Sequence, residues 1–381
     1  MGNKIVKSLL VAAFSLFALL NTVTVNAQPE EPKNEEHAGE THEKGKEHKK
    51  GFNAKEVIFG HILDNHEYHF TEYHDSEGKV HHVSIPLPIL LYSPQRGFSA
   101  FMSSAFHHGE EAHNGYKLVE DKIVPVNEVG EVDSSVTVYD FSMTRNVVQM
   151  LFGLIILVWL FLSIAKSYQK GLGVTSAPKG KQGLLEPVIT FVRDEVAKPN
   201  LGHKYEKYLP YLLTVFFFIL ILNIFGLIPG TANVTGNIAF TVVLGVISFI
   251  VTLASSNKHY WMHIFNPPGV PLGVKFILVP VEFLSMFLKP FSLIIRLFAN
   301  MVAGHIIIIC LVSLIFIFGE KMGAGAGWGA SPLAIGFTIF IYFIEVLVAF
   351  LQAFIFTTLT AVLIGSAIEG DHSAEHAPAH H

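Results

Sequence analysis

The sequence predicts an all-α polytopic membrane protein with about five membrane helices, the last two long, tilted and antiparallel, preceded by a small, mainly β exported domain. Three observations carry that expectation. Of 381 residues, 51% are hydrophobic and only 15% are charged. The apolar residues gather beyond Asn146 into runs long enough to cross a bilayer. Inside one of those runs sits a fixed cation, Arg296. A guanidinium is not deprotonated at physiological pH, and placing one near the bilayer centre costs about 2.5–3.5 kcal/mol on insertion scales. Snorkelling to the headgroups explains it poorly, because the apolar run continues from Ile306 to Phe318.

The chain begins with Lys4 and Lys7, an apolar stretch from Leu9 to Leu20, and the small-residue pattern Val25-Asn26-Ala27. That order reads as a secretory signal peptide over 1–27, the apolar stretch being short for a span. An uncleaved anchor helix is the alternative, and either one exports the segment C-terminal to it. Residues 28–50, rich in His, Glu and Lys, have too little apolar surface to fold and are expected to be disordered. Over 51–142 the character changes. Alternation over Tyr68–Tyr73 and Val80–Tyr92 predicts short strands of a small exported domain. The pairs His81/His82 and His107/His108 are candidate imidazole ligands for zinc, copper or nickel. No recognised ligand spacing accompanies them, so solvated histidines are the expectation and no metal is assigned. The single cysteine, Cys310, excludes an intramolecular disulfide.

Residues 143–371 read as a membrane domain, with spans at about 147–165, 209–228, 237–254, 276–318 and 333–368. The last two are nearly double the length a crossing needs and must tilt strongly or run partly along the membrane. Between the first two spans, Lys166, Lys170, Lys179, Lys181, Arg193, Lys198, Lys204 and Lys207 outnumber four acids, which places loop 166–207 in the cytoplasm. Alternation then puts 229–236 outside, 255–275 inside, a Gly-rich turn at 323–329 outside and the His-containing tail 372–381 inside. Signal peptide and charge bias agree on this orientation independently.

Ser292, Arg296 and Asn300 are four residues apart and share a helix face, which Lys289 and Glu282 continue at heptad spacing. Glu345 and Gln352, seven apart, share a face of the last span. Intramembrane ionisable groups usually face protein or water, so these stripes line a polar route. His305 lies nine residues beyond Arg296, about 13.5 Å along the axis and nearly on the opposite side. With Gln352 level with Arg296 on an antiparallel helix, Glu345 lies about 10.5 Å outward and reaches a depth similar to that of His305. Geometry leaves open whether this pair passes protons or merely fixes two helices by a hydrogen bond.

The run Phe291-Ser-Leu-Ile-Ile-Arg296-Leu-Phe-Ala-Asn300-Met-Val-Ala-Gly304, with Leu351-Gln352-Ala-Phe-Ile-Phe356 and Leu222-Asn223-Ile-Phe-Gly-Leu-Ile-Pro229, resembles subunit a of the F-type ATP synthase over roughly 145–370. The signal peptide and His-rich insertion resemble the longer bacterial form. The resemblance implies a proton-translocating stator subunit, one copy per complex in the bacterial inner membrane, beside the ring of subunit c and with subunit b and the rest of the synthase as partners. Arg296 would face a ring carboxylate, with Asn300, Gln352 and Asn223 as polar lining. Glu282 and Ser292 match positions on the inner half-channel side, and His305 and Glu345 match an outer half-channel pair. The best-studied enterobacterial pattern has Glu at the first and His at the second of that pair, so the two types are exchanged here, which favours their interaction. No Gly-rich loop with Lys-Ser/Thr occurs, and Gly323-Ala-Gly-Ala-Gly is no phosphate cradle. The chain is therefore expected to be non-catalytic by itself and to take no cofactor and no nucleic acid. The alternatives are an ion-coupled secondary transporter binding an anion at Arg296, though no internal repeat is visible, and a membrane scaffold, which leaves the buried ionisable residues unexplained. Proton against sodium coupling is left open.

Overall fold

The computed structural model describes residues 64–74, 80–109, 111–119, 122–127, 130–133, 135–171, 180–228, 230–267 and 269–368. The expected signal peptide, the segment 28–50 and the tail 372–381 lie outside them.

In the β unit that precedes the membrane helices in sequence, β1 (Glu67–His74) pairs antiparallel with β2 (Val80–Pro86). A three-stranded sheet places β3 (Pro88–Ser93) between β4 (Gly97–Met102) and β7 (Tyr139–Asp140), and β5 (Tyr116–Val119) pairs with β6 (Lys122–Pro125). The single alternating stretch expected over Val80–Tyr92 is thus two strands. Pro86 and Pro88 bracket Leu87, and prolines lack the N–H that a continuous ladder needs. Period-two alternation turns Ile89 and Leu91 inward, onto a core with Phe106, Tyr116, Ile123 and Val138. Two polar ties close the unit. The Arg96 guanidinium donates to the carbonyls of Gly115 at 2.5 Å and Val126 at 3.0 Å, lies 3.5 Å from Asp133 and covers the Tyr116 ring at 5.5 Å. The second tie joins His66 Nε2 to Asp140 Oδ2 at 2.9 Å.

The membrane helices are α1 (Arg145–Gln169), a composite run from Lys181 to Leu227, α5 (Ile238–Ser255), α7 (Leu272–Met322) and α8 (Ala324–Ile368). The composite consists of α2 (Lys181–Phe191), a π-helical turn Val192–Ala197, α3 (Lys198–Leu201), a 3-10 turn and α4 (Tyr205–Leu227). These five segments are long and apolar enough to cross a membrane, matching the number of spans expected. With 51 and 45 residues, α7 and α8 are about 77 and 68 Å long, against a hydrocarbon core of about 30 Å. The core gathers around α4, whose Leu212, Phe216, Ile219 and Leu222 are wholly buried against Leu293, Leu297, Phe356 and Ile364 of the long helices.

Three expectations change. Much of the basic loop 166–207 is helical, because its charges are spaced between apolar residues such as Leu185, Val188 and Val192, which pack on the core. Loop 255–275 contains α6 (Lys258–Phe265), preceded by Asn257, whose backbone and side-chain N–H groups donate to the carbonyls of Ala367 and Ile368 at 3.1 and 3.3 Å. Those carbonyls belong to the last turn of α8 and have no partner within it. The turn expected over 323–329 contracts to Gly323, at φ 90°, and the helix resumes at Ala324. Only glycine adopts that φ cheaply. The later glycines instead permit close helix approach: a Cβ at Gly327 would stand 3.0 Å from the Gly319 Cα.

Candidate functional site

On α7, Leu293, Ile294, Leu297 and Met301 turn into the protein, whereas Lys289, Ser292, Arg296 and Asn300 are exposed along one stripe. That division follows from the helical period: apolar residues at i, i+1, i+4 and i+8 make the buried stripe, and the polar set occupies the rest. Among the described residues, Arg296 has no ion-pair or hydrogen-bond partner. Glu282, on the same helix, is half-buried near α6, where burial raises the Tyr260 phenol and the Glu282 charge adds to the shift.

The facing residues of α8 are buried. Gln352 Oε1 accepts from Asn300 Nδ2 at 3.0 Å. One turn outward, a Cβ at Gly304 would overlap the Glu345 carboxylate, so the absence of a side chain at 304 is what lets the acid lie against α7, immediately beside His305. Asn223 of α4, also buried, donates to the Ala349 carbonyl at 3.2 Å, between Glu345 and Gln352 along α8. Three polar atoms here are buried without a hydrogen-bond partner among the described residues: Asn223 Oδ1, Glu345 Oε2 and Gln352 Nε2. Buried polar atoms rarely stay unsatisfied. Their grouping along about two turns of one face of α8 suits a hydrated path better than a dry core.

The geometry therefore joins Asn300 with Gln352 and with Asn223 nearby, and sets Glu345 against Gly304, the residue before His305. Ser292 and Arg296 stand on the open face, with Glu282 apart from both. Gln352 meets Asn300, one turn from Arg296, while Glu345 meets Gly304, the residue before His305. The depth is set by where Gly304 admits Glu345, a steric fact that polar spacing alone does not contain.

Two residues of consequence were not singled out as site residues from the sequence. Gly304 is the first. Its signal was a residue without a side chain beside His305 in an otherwise bulky run. Asn233 is the second: its Nδ2 donates to the Met301 carbonyl of α7 at 3.2 Å while its Oδ1 accepts from the Gly236 amide at 3.0 Å. Nothing in the local sequence points to that long-range tie. As for the histidine pairs, the described residues hold no group of three or more His, Cys, Asp or Glu placed to bind a metal.

Comparison with known proteins gives two family matches. The family described as ATP synthase A chain matches residues 147–365, and a domain of unknown function matches residues 57–141. The chain is 45% identical over 249 residues to ATP synthase subunit a of Chloroherpeton thalassium, covering 64% of this chain and 72% of that protein. It is 44% identical over 257 residues to ATP synthase subunit a 2 of Chlorobaculum tepidum, covering 66% and 70%. With ATP synthase subunit a of Pelodictyon phaeoclathratiforme, the identity is 39% over 292 residues, covering 73% and 83%.

Proposed function

The chain belongs to the family of subunit a of the ATP synthase, the proton-translocating component of the membrane sector, and from that premise we propose how its residues divide the work. Arg296 is the stator cation, and its partner is a carboxylate on a neighbouring ring of subunit c. The single observation that carries this is the exposed, unpartnered guanidinium on an apolar helix. A buried or lipid-facing charge without a counter-ion is costly, so its complement must come from outside the chain. The relatedness does not favour the alternative of an anion-binding secondary transporter.

In the mechanism we infer, a proton enters past Glu345 and His305 and neutralises a ring carboxylate, which then tolerates lipid. After nearly a full turn the carboxylate reaches the inner half-channel and releases the proton toward Ser292, Glu282 and the cytoplasm. Arg296 favours the ionised carboxylate and separates the two half-channels, so protons do not cross without rotation. Asn300, Gln352 and Asn223 line the route between. Contact attraction of about 4 kcal/mol at an effective dielectric of 20 exceeds the roughly 2.3 kcal/mol that 100 mV supplies per charge. The exposure of Arg296 supports a hydrated, loose contact from which the ring escapes.

The subunit has no catalytic chemistry of its own in this reading; ATP turnover belongs to other subunits, and subunit b joins it in the stator, with one copy of the chain per complex. The basic segment Lys166–Lys207 faces the cytoplasm, the β unit lies outside and the chain ends inside. Arg296→Ala tests the proposal. In inverted vesicles with the complex assembled, ATP-driven acidification is expected to vanish, whereas acidification at the parental rate would overturn the assignment.

A further inference from the structure

The three-stranded sheet of the exported unit buries one face and leaves the other bare. In its register, Tyr92 stands between Phe98 of β4 and Tyr139 of β7, and the amides of Phe141 and Met143 carry the β7 edge onward by donating to the Leu90 and Pro88 carbonyls. The outward positions of these strands therefore form a grid three residues wide and three deep, with Met102 at its corner, and none of the nine positions carries a charge. Exposure is high at Phe98 (66%), Tyr92 and Phe141 (46% each), Met102 (44%) and Met143 (37%). An antiparallel sheet facing water alternates apolar-in with polar-out, and this sheet does not. Contiguous apolar patches of this kind mark interaction surfaces.

The position of the grid along the chain identifies the occupant. Its last row ends at Met143, two residues before Arg145 opens α1, the first membrane helix. Six residues of extended chain from Tyr139 to Arg145 span at most about 20 Å, so the β7 row of the grid is tethered within that distance of the start of α1. Tyrosine, apolar in its ring and polar at its hydroxyl, settles at the headgroup level, and Tyr92 and Tyr139 stand side by side in the grid with uncharged apolar residues around them. We propose that this sheet face is a membrane-surface anchor, seated in the interfacial layer of the phospholipid bilayer that α1 crosses. The inference rests on the reading of α1 as a membrane span.

To test it, p-benzoylphenylalanine replaces Phe98, Phe141 or, as control, Val132, which is equally open but outside this sheet. Each variant is assembled into the complete synthase in its membrane, illuminated, and its adducts weighed by mass spectrometry. Phospholipid adducts at Phe98 and Phe141, severalfold above Val132, are the expected result. Adducts to another subunit or to a segment of this chain, or lipid adducts no higher than at Val132, would overturn the proposal. Retention of the chain in membranes after alkaline extraction reports separately on the span itself, so failure of the anchor and failure of the membrane reading are distinguishable.

Discussion

Two regions of this molecule are organised around an arginine, and they treat it in opposite ways. In the β unit, Arg96 is saturated: two carbonyls, a carboxylate and an aromatic face receive it, and it joins three segments distant in sequence. In the membrane unit, Arg296 lies on an open stripe of α7 with no partner among the described residues. The first is the arrangement of a structural cation, whose donors are consumed within the chain. The second is the arrangement we propose for a cation whose complement is supplied from outside. Chemistry identical at the side chain is thus divided by what surrounds it, and the same division runs through the neighbours. Arg96 is tied down by Gly115 and Val126, whereas beside Arg296 the protein invests its hydrogen bonds in holding α8 at a fixed depth, through Asn300–Gln352 and Asn223–Ala349.

The largest effect expected from disturbing that depth comes at Gly304. Gly304→Ala places a methyl group where the Glu345 carboxylate lies. ATP-driven acidification should fall about tenfold or more, the equivalent of at least roughly 1.4 kcal/mol in a rate-limiting barrier. Adding Glu345→Asp shortens the acid and should restore part of the loss. A single variant pumping at the parental rate would show that the contact does not govern the outer route.

Arg96→Ala should produce the mirror image. Removing the guanidinium leaves the Gly115 carbonyl its Val126 amide and Asp133 its Ser135 bonds, but it takes the side-chain donor from the Val126 carbonyl and uncovers the Tyr116 ring, which loosens the β unit. Faster proteolysis of the β unit within the assembled complex should report it, while acidification stays at the parental rate. Loss of pumping alongside intact assembly would erase the contrast between the two arginines.

The smallest effect concerns pH. Burial opposes ionisation of Asp140, yet the His66 hydrogen bond and charge, with two bonds from Ser142, outweigh it and hold the carboxyl below the usual carboxylate range. A depressed folded pKa contributes stability above the unfolded value, about 3.9, and that contribution is lost as pH falls through the folded pKa. Asp140→Asn should therefore make the β unit more protease-sensitive at neutral pH and flatten its dependence on pH below about 4. The effect is below about 1 kcal/mol because the carboxylate is about a third exposed. An unchanged acid limb in the variant would assign it to another group.

These contrasts also mark what the sequence made legible. Hydropathy exposed the five spans, and the four-residue spacing of Ser292, Arg296 and Asn300 placed them on one face, because both depend only on local period. The close approach of α7 and α8 was not visible, since it depends on a side chain that Gly304 lacks. Asn233 and the helical content of the segment read as a basic loop were not visible for a related reason. A hydrogen bond to the Met301 backbone, or the packing of Val192 on α4, exists only once distant segments have met. Arg96 was invisible as well: a lone arginine in a polar domain has no pattern until Gly115 and Val126 are brought to it.

The account's central claim is that Arg296 completes its ion pair outside this chain, and disulfide formation tests it most directly. With Cys310→Ser as background, Ser292→Cys or Asn300→Cys is paired with a cysteine beside the carboxylate of subunit c in the assembled complex, and Thr214→Cys, exposed on α4, serves as the control. The account predicts cross-links to subunit c from the Arg296 stripe and none from position 214. An assembled complex with no such adduct at 292 or 300, or with equal yield at 214, would contradict it.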